Sequence, residues 1–89
     1  MKTTFYPGFP QPEPRRIAQI ERYAAKLERF GAQVWLYCGY GATLDVQLVP
    51  DMPTLRLADD APLPVALTAA RVAAQICEAV ENYHATPTA

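Results

Sequence analysis

The feature that most constrains the fold is the alternation in "VWLYCGYGATLDVQLV", Val34 to Val49. Val34, Leu36 and Cys38 alternate with Gln33, Trp35 and Tyr37; Leu44, Val46 and Leu48 alternate with Thr43, Asp45 and Gln47. A period of two sends successive side chains to opposite faces of a strand, so the segment reads as two strands, Gln33–Cys38 and Thr43–Val49. A two-residue turn at Tyr40-Gly41 would pair Leu36 with Asp45 and set apolar side chains against polar ones. A three-residue loop, Gly39-Tyr40-Gly41, pairs Leu36 with Leu44, Val34 with Val46, Trp35 with Asp45 and Tyr37 with Thr43. The second register keeps one face wholly apolar, and a buried face fixes register strongly. It also places Gly41 where a three-residue loop wants a left-handed residue.

Two helices flank this hairpin. Pro14 suits a first helical turn and Gly31 a left-handed stop, which predicts a helix over Pro14–Phe30. Ile17, Ile20, Ala24 and Leu27 recur at spacings of three and four and share one face, widened by Tyr23 and Phe30. Arg15, Arg22, Lys26 and Arg29 form a basic row opposite, with Glu21 and Glu28 on a flank. After a turn at Pro50–Pro53, "TLRL" offers a third strand with Leu55 and Leu57 inward and Arg56 outward. "ADDAPLP" reads as a loop whose aspartates suit the N-terminal end of the next helix. That helix runs from Pro64 to about Tyr83, with Val65, Ala69, Val72, Ile76, Val80 and Tyr83 on one stripe and Thr68, Arg71, Gln75, Glu78 and Asn82 on the far side.

The expected architecture is α+β, in the order α-β-β-β-α, with a small three-stranded antiparallel sheet and both helices on its apolar face. The single domain spans residues 14–84, preceded by an extended proline-rich arm over 1–13 and followed by a disordered tail over 85–89. Pro7, Pro10, Pro12 and Pro14 exclude helix and internal strand from the arm. Its aromatics, Phe5, Tyr6 and Phe9, either dock on the domain itself or clasp a partner.

Composition narrows the function classes. The chain has 89 residues and a net charge of −1, with +2 in residues 1–45 and −3 in residues 46–89. That balance lacks the surplus of Lys and Arg that draws proteins to nucleic acid or anionic membrane. No signal peptide is visible and no apolar run approaches the roughly 20 residues that span a bilayer. Two cysteines without CxxC spacing make neither a disulfide framework nor a metal site, so a reduced, cytoplasmic setting is expected.

No catalytic apparatus can be assembled. Cys38 points to the apolar face and Asp45 to the other, while the single histidine, His84, ends the last helix. Cys38 is expected to be a small core residue. "CGYGA" lacks the spacing of a phosphate loop, and the scattered carboxylates form no acid–base pair. No cofactor, metal or small-molecule substrate is expected.

The order α-β-β-β-α over about residues 14–84, ending in the alanine-rich "LTAARVAAQICEAV", resembles double-stranded-RNA-binding domains. The resemblance implies RNA contact, which here would use the basic face of the first helix. Those domains place lysines at the start of the final helix; this chain reads "ADDAPLPVALTAA" there, with no base before Arg71. The leading expectation is instead a non-enzymatic protein-binding module that contacts a protein partner, a second copy of itself, or both. By size and elimination it fits the small inhibitors that phages and mobile elements direct against host proteins and defence complexes, as anti-CRISPR proteins do. Partner contact is expected from Trp35, Tyr37 and Arg56 on the outer sheet face and from Arg15, Arg22, Lys26 and Arg29 on the first helix.

Overall fold

The hairpin forms in the register that the alternation predicts. In the computed structural model, which describes residues 1–85, β2 (Gln33–Cys38) pairs antiparallel with β3 (Ala42–Gln47). Leu36 lies opposite Leu44, Val34 opposite Val46, Trp35 opposite Asp45 and Tyr37 opposite Thr43. The three-residue loop is present, but Gly41 is not left-handed: the positive-φ glycines are Gly8 and Gly31. Gly41 is needed for a different reason. A β-carbon there would stand 2.6 Å from the backbone carbonyl carbon of Asp60, so only a glycine lets the two strands approach.

The sheet has four strands rather than three, in the order β1 (Lys2–Phe5), β2, β3, β4 (Leu55–Ala61). Lys2–Phe5 forms β1, which pairs parallel with β2 along the sheet edge, making the sheet mixed. The arm was expected to stay free of internal strand, and β1 respects the reason, because it ends before Pro7 and occupies an edge. The N–H of Tyr6 continues the ladder by donating to the Cys38 carbonyl at 2.9 Å. β4 runs Leu55–Ala61, so the segment expected to be a loop is strand through Asp59 and Asp60. Register shifts against β3 between Ala42 and Leu44 and between Leu44 and Asp45 mark bulges on β4. They put Asp60 at φ 47°, a conformation aspartate tolerates better than most residues, with its N–H donating to Thr43 Oγ1.

Helix α1 (Pro14–Arg29) ends as its sequence predicts. Gly31 adopts φ 88°, its N–H bonds the Glu28 carbonyl, and the Ala32 N–H bonds the Leu27 carbonyl. This pair of bonds closes the helix and satisfies two of its terminal carbonyls. The expected face is the buried one: Ile17, Ile20, Ala24 and Leu27 all lie in the core.

Helix α2 (Leu63–Ala85) does not follow its expected stripe. Ala66, Ala70 and Ala74 are buried, whereas Val65, Val72, Ile76, Val80 and Tyr83 are exposed. With residues about 100° apart, the helix is turned by roughly a third of a revolution from the predicted orientation. The core already holds Leu36, Leu44 and Val46 from the sheet and Ile20 and Leu27 from α1. Alanines on α2, together with Ala42 and Ala58 on β3 and β4, let the layers meet without overfilling that space. Leu48 and Leu55, also expected inward, lie at the sheet's end and are 44% and 48% exposed.

Both helices pack on one sheet face, α1 over β2 and α2 over β3 and β4, around a single apolar cluster. The result is one small α+β domain. Leu63–Tyr83 is long and apolar enough to cross a membrane by length and composition, contrary to the expectation that no apolar run approaches that length. The tail beyond residue 85 and the side chain of His84 lie outside the described residues.

Candidate partner-binding surfaces

The alternation that buries Leu36 and Leu44 turns Trp35, Tyr37, Thr43, Asp45 and Arg56 onto the helix-free face of the sheet. β1 adds Lys2 and Thr4 beside Trp35 and Tyr37 by its parallel register. Trp35 and Tyr37 are half-buried rather than open. Tyr37 is covered by Tyr6, whose ring stacks on it at 6.5 Å between centroids and 17° between planes. The arm therefore docks on its own domain, at least through Tyr6.

Asp45 is the one buried charged residue in the described chain, at 8% exposure. Arg56 holds it with a forked contact, Nε to Oδ1 at 3.0 Å and Nη2 to Oδ2 at 3.3 Å. The two lie directly opposite across β3 and β4, so the strand register itself builds the pair. Asp45 raises the pKa of the Arg56 guanidinium through this hydrogen bond and its charge, with a smaller contribution from Asp59 3.8 Å away. Arg56 keeps an exposed flank, but its donors are partly committed to Asp45.

Beside this pair opens a cleft of about 590 Å³, walled by Tyr6, Phe9, Tyr37, Tyr40, Arg56 and Asp60. Tyr40, at the hairpin tip, is 89% exposed. Gly39 shapes the cleft: a β-carbon there would stand 3.3 Å from the Tyr6 ring and press on the docked arm. Tyr40 was absent from the expected contact set, while Tyr6 and Phe9 were expected only as arm aromatics that dock on the domain or clasp a partner. A tyrosine at the centre of a three-residue loop projects from the tip, and that signal was available for Tyr40.

The basic row of α1 lies on the opposite side of the domain, so the structure does not join it to the sheet face. Arg15, Arg22 and Arg29 are exposed, with no acid among the described residues in ion-pair contact. Lys26 is withdrawn from the row: its Nζ reaches Glu78 of α2 at 2.8 Å and lies 6.0 Å from the Tyr23 ring centroid.

A third surface was not anticipated. The exposed side of α2 carries Val65, Val72, Ile76 and Val80, and at Ile76 it meets a wholly apolar groove of about 150 Å³. Leu48, Leu55, Leu57, Ala73 and Cys77 complete its walls with Leu27 and Val46 at the base.

Cys38 is buried on the helix side of the sheet, and burial pushes its thiol pKa up, as it does for Cys77. Burial thus disfavours the thiolate, the reactive form, at both sulfurs. Among the described residues no three His, Cys, Asp or Glu side chains are grouped to hold a metal. Compared with protein-family models, curated proteins and solved structures, the chain matches none.

Proposed function

We propose that this protein is a small non-enzymatic binding module, an adaptor or inhibitor that acts by surface contact through the helix-free face of its sheet. The observation that carries this reading is the aromatic cleft beside the Asp45–Arg56 pair, with Tyr40 projecting at its rim. Tyrosine, tryptophan and arginine are the side chains that most often anchor protein interfaces. The floor is also preorganised: Tyr6 is stacked on Tyr37 and Arg56 is held by Asp45, so little side-chain freedom is lost on binding. Trp35, half-buried between Lys2 and Asp45 in the strand register, extends the same face.

The test uses a photo-cross-linking residue at Tyr40 and, separately, at Arg22. The Tyr40 probe should capture a protein that unlabelled chain competes away. Tyr40→Ala and Trp35→Ala should then weaken that complex by roughly 10- to 30-fold, the loss typical of an interface anchor. Tyr40 is too exposed to affect folding, so its variant separates lost binding from lost structure. Capture from Arg22 alone, with RNA or DNA and a steep loss on adding salt, would sink the proposal.

A further inference from the structure

We infer that the exposed face of α2 is a homodimer interface, covered by the same face of a second copy of this chain. The spacing on that face is self-complementary. Val65, Ala69, Val72, Ile76, Ala79 and Tyr83 follow one another at intervals of four and three, the repeat that lets two helices interlock along a seam. About a two-fold axis, antiparallel copies would set Val72 of one against Ile76 of the other, and every contact would occur twice.

Charge is compatible with a second copy as the occupant. The borders of the stripe are Thr68 and Gln75 on one side and Ala66 and Ala73 on the other, while Arg71 and Glu78 lie well round the helix. Two copies can therefore meet without burying or opposing a like charge. A lipid surface fits less well. Helices that lie in a membrane interface border their apolar face with Lys and Arg; here no base borders the stripe, and residues 46–89 carry a net −3. Strand addition is also disfavoured, because the free edge of β4 is bulged and carries Arg56, Asp59 and Asp60.

Area sets the expected strength. The stripe is about 30 Å long and 10 Å wide, on the order of 300 Å². A standard interface takes roughly 800 Å² from each partner. The stripe and the groove beside Ile76, with Leu48 and Leu55, together stay below that figure. The dimer expected is accordingly weak and concentration-dependent rather than obligate.

Sedimentation of the full chain across about 1 to 500 µM tests this. The mass should double within that range. Ile76→Glu and Val80→Glu, at positions 59% and 51% exposed, should keep the far-ultraviolet helical signal and raise the dissociation constant by more than about 100-fold, since each charge enters twice. Arg71→Glu, on the far side of α2, and Tyr40→Ala, on the outer sheet face, should dimerise like the parent chain. A chain that stays monomeric to 500 µM overturns the inference, whether or not it moves onto phosphatidylcholine vesicles. So does a dimer that survives Ile76→Glu, or one that Tyr40→Ala dissociates.

Discussion

α1 turns Ile17, Ile20 and Leu27 inward and leaves its arginines in solvent, whereas α2 turns Ala66, Ala70 and Ala74 inward and leaves Val72, Ile76 and Val80 outside. Both helices are amphipathic by sequence and both lie on the same sheet face. What separates them is the space that each one faces in the core. Ile20 and Leu27 meet Leu36, Leu44 and Val46 and occupy the space between the layers. α2 must fit what remains, and small side chains fit it better than branched ones. Its larger stripe is thereby released to the surface. Contiguous exposed apolar stripes are a common mark of contact surfaces, which is the ground for the dimer proposed above.

The comparison breaks most directly at its two isoleucines. Ile20 is fully buried and Ile76 is 59% exposed. Ile20→Ala should cost about 2–5 kcal/mol of stability, from lost burial and the cavity left behind. Ile76→Ala should cost less than about 1 kcal/mol, as surface substitutions do. Denaturant titration followed by Trp35 fluorescence measures both, at a concentration low enough to keep chains apart. Equal costs would mean that α2 is seated on its valine stripe after all.

The two helices also mark what could be read from the sequence. Where one buried face demands one pattern, the sequence is legible: the β2–β3 register follows from keeping Leu36 against Leu44, and α1 from Pro14 in its first turn, its Gly31 stop and its single apolar stripe. α2 defeated the same logic because it carries two faces that can be buried, an alanine face and a valine face. Periodicity ranks them by size, while packing ranks them by fit. β1 was hidden for another reason, since four residues on a parallel edge carry too short a pattern to separate from an extended arm. The bulged end of β4 looked like a loop because Asp59 and Asp60 are poor strand formers. Trp35, Tyr37 and Arg56 were placed on the correct face, but alternation gives a side chain's direction and not its cover. Tyr6 over Tyr37 and Asp45 under Arg56 emerge only when the strands are assembled.

Enlarging the alanine face should have the next largest effect. Ala70 is 1% exposed, and Ala70→Leu inserts three carbons where α2 meets the core. Overpacking of this kind costs about 1–3 kcal/mol. Val72→Leu, two residues along on the exposed side, should be within about 0.5 kcal/mol of the parent. The pair sharpens the contrast with α1 by asking where a larger side chain is tolerated on one helix. Thermal unfolding of the two variants answers it, and a stable Ala70→Leu would mean that the layers are not as close as the alanines imply.

The smallest effect comes from the ion pair between the helices. Lys26 Nζ and Glu78 stand 2.8 Å apart, but both side chains are more than 40% exposed, so solvent screens them. A double-mutant cycle with Lys26→Ala and Glu78→Ala should give a coupling of about 0.2–1 kcal/mol, declining as salt is added. Its value lies in what it reports. Glu78 is roughly 80° round α2 from Ala70, on the side that faces α1. Turning α2 to bury Val72 and Ile76 would swing Glu78 out into solvent, beyond the reach of Lys26. A coupling that is present at low salt and lost at high salt therefore reads the rotation of α2 without disturbing either the core or the exposed stripe.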